Sequence, residues 1–426
     1  MTRVASPVKP APVRLGANFG WLWTASIASN LADGLGRTAV PLIATTLTTD
    51  PLLIAGVAAI AYVPWLFFGL LSGVVVDRVD RRHAMAVANG VRVLAAAGIA
   101  LAIATGSLTI WLLYAGILVF GLGETVYDNA TTAIVPTLVE KRGLEKANSR
   151  MQAADLVVQS FIATPIAGLL LAVSIIIPVL STAAGFLVAA VLALTLPLAA
   201  GRAPAPMEPL AKTTVRADAK EAAVFLLRHR FLRGMVITTS LIGGLLAFAQ
   251  ATSVLFFLDT MSVPLAAIGF ATAGIGIGAL AGALVASSLV ARFGRSRVML
   301  VSVIVSGAAI GATGLAPNIW VALVFYAISA GGVAVWNVPW GALRQDIVPG
   351  RLLGRFTGLT RTFVWGLFPV AGVLGGLVAR IDLRLPFIVG GALMVVVALC
   401  AARLLLAVDR HSEEASAQAP VDTSPQ

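Results

Sequence analysis

Apolar runs of bilayer length, each broken by glycine, proline or charge, recur along nearly the whole chain and constrain its fold more than any other feature. The hydrocarbon core of a membrane accepts a helix of about 20 residues. Hydrophobic residues make up 59% of the chain and charged residues 12%, too few charges to cover a water-facing surface. Spans are expected near 18–46, 52–76, 84–104, 109–137, 150–173, 176–199, 234–257, 264–290, 298–316, 319–343, 357–379 and 385–407. No alternating polarity marks a closed barrel, and a helix satisfies its own backbone in lipid. The expected fold is an all-α integral membrane protein of twelve transmembrane helices. Pro41, Pro64, Pro165 and Pro339 interrupt spans, which neighbouring helices make tolerable.

Positive charge predicts the orientation. Among the 30 Lys and Arg residues, Arg37, Arg92 and Arg361 fall in spans. Arg380 and Arg384 fall in one set of loops; the rest occupy the two tails and the connections after spans two, four, six, eight and ten. Those segments are expected to face the cytoplasm of a plasma (inner) membrane, with both termini inside. The net charge of +11 is thereby a topology signal and not a nucleic-acid surface. The segment before the first span has three prolines and no cleavable apolar core, so it reads as a tail and not a signal peptide.

The longest polar interval divides six spans from six. The boundaries expected are a tail over 1–16, a bundle over 17–200, a linker over 201–233, a second bundle over 234–408 and a disordered tail over 409–426. Within the linker, Phe225, Leu226 and Phe231 alternate with Arg228, Arg230 and Arg233, as suits a short helix at a membrane surface. Ile134-Val135-Pro136 and Ile347-Val348-Pro349 close the fourth and tenth spans, each before a basic connection. GLLSGVVVDRVDRRHAM from Gly69 to Met85 has a fainter counterpart, GALVASSLVARFGRSRVML, from Gly282 to Leu300. The two spacings indicate a parallel internal repeat, the arrangement that places two bundles around a midplane site.

The first of these loops resembles the signature between the second and third helices of the major facilitator superfamily of secondary transporters. SNLADGL, GLGETVYDNATTAIVPTLVEKRGLEKAN and IVPGRLLGRFTGL are similar to its branch of enterobactin exporters and macrolide efflux proteins. The resemblance implies two pseudo-symmetric six-helix bundles that rock to alternate access. It also implies a cytoplasmic gate of Gly69, Gly73, Asp77, Arg78, Arg81 and Arg82, with Asp77 reaching toward Gly354 and Arg355. Gly69 and Gly73 would permit close helix approach. Two departures stand out: Asp80 occupies a place often held by glycine, and Ala291 replaces the acid in the second copy.

Charges at membrane depth are the candidates for coupling, because each costs about 2.5–3.5 kcal/mol to insert at a helix centre. Asp33 and Arg37 lie one turn apart, a spacing that permits an internal pair. Glu124 and Asp128 share that spacing with like charges, so one is expected to hold a proton. Glu124, nearer the middle of the span, leads the candidates, followed by Asp33. Asp155 is expected to pair with Arg150 or Arg92. One proton crossing about 100 mV releases about 2.3 kcal/mol, enough for a roughly fifty-fold gradient of a neutral substrate. For the cargo cavity the candidates are Tyr127, Asn129, Gln250, Trp336, Asn337, Trp340 and Arg361, with the fourth and tenth spans placed there by the resemblance. Trp21, Trp23, Trp111 and Trp320 sit near span ends as interfacial anchors.

His83, His229 and His411 form no cluster that suggests a metal, and Cys400, the single cysteine, forms no intrachain disulfide. No phosphate-binding GxxxxGK[ST] loop and no hydrolytic triad is visible, so neither cofactor nor enzymatic activity is expected. The sequence points to a monomeric proton-coupled exporter of drug-like or siderophore-like compounds, its partners being the substrate, protons and the bilayer. The alternatives are a proton-coupled importer or facilitator of a small metabolite, and a non-transporting sensor or assembly factor.

Overall fold

A computed structural model describes residues 15–201 and 215–411. Most of the expected N-terminal tail, the first half of the linker and residues 412–426 lie outside that set. The first half contains α1 (Gly16–Leu47), α2 (Pro51–Arg78), α3 (Arg81–Ala104) and α4 (Ile110–Leu138). Then α5 (Leu144–Leu156) runs through a π-helical stretch, Val157–Ala163, into α6 (Thr164–Val173), followed by α7 (Ile176–Leu194) and the single turn α8 (Leu198–Gly201). After α9 (Val215–Arg228), α10 (Arg230–Gln250) continues through α11 (Ser253–Leu255) into a second π stretch, Phe256–Thr260. The remainder is α12 (Leu265–Phe293), α13 (Arg295–Leu315), α14 (Ile319–Ile347), α15 (Gly350–Ala379), α16 (Leu385–Cys400) and α17 (Ala402–Leu406).

Ten of these helical segments are long and apolar enough to cross a membrane, and Leu385–Cys400 is a shorter apolar helix. With α1, whose Asp33, Arg37 and hydroxyl-bearing residues dilute its hydropathy, they make the twelve spans expected from sequence. Side-chain caps start several of them: Asp50 accepts from Leu52 N at 3.0 Å, Thr109 from Leu112 N at 3.3 Å and Asn318 from Val321 N at 3.1 Å. Pro41, Pro64 and Pro339 lie inside helices, whereas Pro165 opens α6 just after the π stretch.

In the first bundle α1 and α3 both pack on α7, and α4 lies against α2 and α3. In the second, α14 packs on α12 and α13, while α16 lies against α10 and α13. Two seams join the bundles, α2 with α15 and α6 with α12. Both seams are tight in the half of the molecule away from the chain termini. A Cβ on Gly376 would stand 2.6 Å from Ala55 Cβ, and one on Gly269 would stand 2.3 Å from the Thr164 carbonyl. Arg380, just past α15, donates through Nε and Nη2 to the two carboxylate oxygens of Asp50 ahead of α2. On the terminal side a Cβ on Gly73 would meet nothing within 4 Å. Among the described residues the bundles therefore meet closely on one side, with no such approach at Gly73 on the other.

The two repeats cap their third helices with carboxylates from different places. Asp80 caps α3 by accepting from Arg82 N at 2.9 Å and also binds the Arg82 guanidinium. Arg82 in turn donates to the Leu196 carbonyl at 2.9 Å, and Arg81 to the Ala133 carbonyl at 2.9 Å. In the second half the chain turns at Gly294, φ +81°, and Arg295 N and Ser296 N donate to Asp409 at 3.0 and 3.2 Å. Asp409 was expected to begin a disordered tail; its two hydrogen bonds to a helix N-terminus order it instead. The linker helix is also displaced from expectation. Phe231 belongs to α10, which starts at Arg230 after His229 accepts from Leu232 N, and Phe225 packs edge-on against Phe356 of α15.

A candidate transport cavity between the bundles

Asp33 of α1 and Glu124 of α4 meet arginines from other helices. Arg37 donates through Nη2 to Glu124 Oε1. Asp33, one turn earlier, is held by Arg92 Nη2 from α3. The internal Asp33–Arg37 pair expected from spacing is thus replaced by two pairs that bridge helices, since in a bundle a facing guanidinium reaches a carboxylate as readily as one on the same helix. Arg92 is 1% exposed, lies 3.8 Å over the Phe186 ring, and donates to Asn89 Oδ1 at 3.0 Å and Ser29 Oγ at 3.4 Å. This density of partners is what a buried charge requires. With Arg92 so engaged, Asp155 accepts from Gln159 Nε2, not from Arg92 or Arg150 as expected.

These groups surround a cavity of about 550 Å³. Asp33, Arg37, Glu124, Asp128 and Asp155 all line it. Asp128 is exposed to it and has neither a hydrogen-bond nor an ion-pair partner among the described residues. Among the described residues, only Arg361, Trp365 and Phe368, all from α15, come from the second bundle. Trp365 meets Trp65 of α2 edge to face with centroids 5.5 Å apart, and Tyr62 meets Phe368 likewise at 5.0 Å. These rings were missed in the sequence, although Tyr62-Val-Pro-Trp65 and Trp365-Gly-Leu-Phe368 repeat one aromatic spacing in the second and eleventh spans.

Most of the aromatic and amide residues expected in the cavity lie elsewhere. Tyr127, Trp336 and Trp340 are 2%, 4% and 3% exposed and belong to packed cores. Asn129 ties α4 to α2 by donating to Ser72 Oγ at 2.7 Å and the Gly69 carbonyl at 3.3 Å. Gln250 ends α10 and the exposed Asn337 lies in α14; neither lines the cavity. Burial of the large rings inside each bundle outweighs their use as lining, because apolar packing is available there and the polar wall is already occupied.

A family model described as transmembrane secretion effector, of the major facilitator superfamily, matches residues 8–424. The chain belongs to that family. Macrolide efflux protein A of Streptococcus pyogenes is 24% identical over 405 residues, 89% of this chain and 94% of the relative. The enterobactin exporter EntS of Shigella boydii is 29% identical over 364 residues, 84% of this chain and 85% of the relative. Among solved structures, the nucleoside transporter NupG superposes with a TM-score of 0.70 at 15% identity, covering 91% of this chain and 99% of its own. A bacterial homologue of the iron transporter ferroportin in an inward-facing state also reaches 0.70, at 16% identity, covering 91% and 98%.

As a major facilitator protein this chain is a multi-pass membrane transporter of small molecules and not an enzyme. In its signature loop an added Cβ on Gly73 would meet nothing within 4 Å and one on Gly69 only its own helix's Trp65 at 3.9 Å, so the close approach to a neighbouring helix expected from their spacing is not made through these two α-carbons. Arg78 is exposed, while Arg81 and Arg82 hold carbonyls at the ends of α4 and ahead of α8. The Asp77 side chain lies outside the described residues. Near Gly354, in the first turns of α15, Arg355 donates to Glu221 of α9 at 2.8 Å. Among the described residues no three or more His, Cys, Asp or Glu side chains converge to hold a metal.

Proposed function

We propose that this transporter is a proton-coupled exporter in which Asp128 exchanges a proton for cargo, with the Arg37–Glu124 pair beside it. The observation that carries this reading is a cavity-facing carboxylate with no hydrogen-bond or ion-pair partner among the described residues, one helical turn from a second acid already bound to arginine. At membrane depth such a group needs water, a cation or a proton, and its state changes when access alternates. The sequence alone favoured Glu124 as the carrier. We assign that role to Asp128 instead; the assignment is supported by the engagement of Glu124, whose protonation first requires breaking a contact to Arg37.

The close approach of the bundles on the side away from the termini, together with the positive charge of the segments on the terminal side, supports a cytoplasm-facing cavity in a plasma membrane with both termini inside. The curated relatives are named for efflux and export, which supports the outward direction. In this cycle cargo enters the open cavity and displaces the proton from Asp128; rocking at the α2–α15 and α6–α12 seams then opens the opposite side, where a new proton releases it. The two bundles, the linker between them and the gate residues Gly69, Gly73, Asp77, Arg78, Arg81 and Arg82 are the moving parts of that proposal.

Calorimetry in buffers of different ionisation enthalpy tests the exchange. Binding of a transported macrolide or siderophore is expected to release protons in the unaltered protein and to release none in Asp128→Asn. Equal proton release by both proteins contradicts the assignment.

A further inference from the structure

The cavity has two poles of different chemistry. Every acid that lines it belongs to the first bundle, on α1, α4 and α5. The opposite wall is one face of α15, where Arg361, Trp365 and Phe368 recur at helical spacing. The Arg361 guanidinium lies 4.7 Å from the Trp365 centroid and has no carboxylate partner among the described residues. Trp65 and Tyr62 close the same corner from α2, so rings from both bundles meet beside one exposed arginine.

A guanidinium at membrane depth without a carboxylate calls for an anion or water, and its planar fork suits a carboxylate bound through two hydrogen bonds. Clustered rings in general also attract cations. Here the place over Trp365 is already filled by Arg361, so a cationic ligand would bring like charges together, whereas a flat ring carrying an anionic group satisfies both components at once. We propose that Arg361, Trp365, Trp65, Tyr62 and Phe368 form a subsite for the aromatic anionic end of the cargo. The class is a planar aromatic compound bearing a carboxylate or an equivalent single anionic group. This inference rests on the exporter reading only for the direction of movement; occupancy of the subsite is independent of coupling. Outward passage of such an anion is favoured by an inside-negative potential. Because α2 and α15 both contribute, the bound ring bridges the bundles, and its affinity differs between the two access states.

Three ligands that share one ring system separate the charge requirement from simple stacking: naphthoate, naphthylmethanol and naphthylmethylammonium, titrated into the purified protein near neutral pH and followed by tryptophan fluorescence. Naphthoate is expected to bind about tenfold more tightly than the ammonium compound, the difference a charge-assisted bidentate contact supplies. Arg361→Gln brings the two within about twofold, Arg361→Lys keeps part of the preference, and Trp365→Ala weakens naphthoate and naphthylmethanol alike. A preference for the ammonium compound, or an anion preference that survives Arg361→Gln, overturns the proposal. The same titration in Asp128→Asn separates it from the coupling mechanism: the anion preference is expected to persist there even though proton exchange is lost.

Discussion

At the scale of single residues, the charges of the first bundle divide into structure and work. Arg92 and Asp33 are 1% and 9% exposed in their side chains, so Arg92→Leu leaves a buried carboxylate uncompensated. Its expected cost is about 3–5 kcal/mol, read as thermal destabilisation in detergent; a melting profile equal to that of the unaltered protein contradicts the pairing. Asp128 has no such partner among the described residues, and Asp128→Asn is expected to fold normally while abolishing coupling. Residue identity at these places was legible in the sequence, because an acid inside an apolar run announces itself. Pairing was not. The spacing of Asp33 and Arg37 was compatible with a bond along α1, but choosing Arg92 and Glu124 depends on how α1, α3 and α4 rotate against one another, which local sequence does not encode. The same gap explains why Trp336 and Trp340 were expected in the cavity while Tyr62, Trp65, Trp365 and Phe368 were not: aromatic type is visible in sequence, but the face a helix turns inward is set by tertiary packing.

At the scale of helices, length and hydropathy located the spans, with ends that differ from the helices by up to seven residues, as at the start of α15 (Gly350 against 357). Two features were invisible. The π stretches at 157–163 and 256–260 alter hydrogen-bond register without changing composition. Asp409 caps α13 from more than a hundred residues away, a contact that only the folded chain creates. Asp409→Ala removes that cap and is expected to cost about 1 kcal/mol in thermal unfolding; no change in melting would contradict the capping role. Asp80 does the same for α3, and its hydrogen bonds from Arg82 hold its carboxyl below the usual carboxylate range. A lowered value means that its contribution is full above that range and is lost only as the pH falls through the lowered pKa. Melting is therefore expected to change little on this account between neutral and mildly acidic pH.

At the scale of the whole molecule, two bundles meet on the side away from the termini and, among the described residues, show no such close approach at Gly73 on the terminal side. Asp50 and Arg380 are the charged clasp of the closed side. The hydrogen bonds from Arg380 hold the Asp50 carboxyl below its ordinary value, so the clasp is intact at neutral pH and is lost as the pH falls through that lowered pKa. It is solvent-exposed and weakened by salt. Arg380→Ala is expected to raise labelling of cysteines placed along the Pro51 end of α2; unchanged labelling would show that the apolar seam suffices. Gly376→Val puts added bulk against Ala55 and Leu52 and is expected to open the same seam, at a cost of about 1–3 kcal/mol typical of overpacking. The central claim, export driven through Asp128, is tested most directly in proteoliposomes carrying a macrolide or siderophore substrate under an imposed pH gradient. The unaltered protein is expected to drive substrate against its gradient, and Asp128→Asn to equilibrate it without regard to pH. Gradient-driven accumulation by Asp128→Asn equal to that of the unaltered protein would contradict the account.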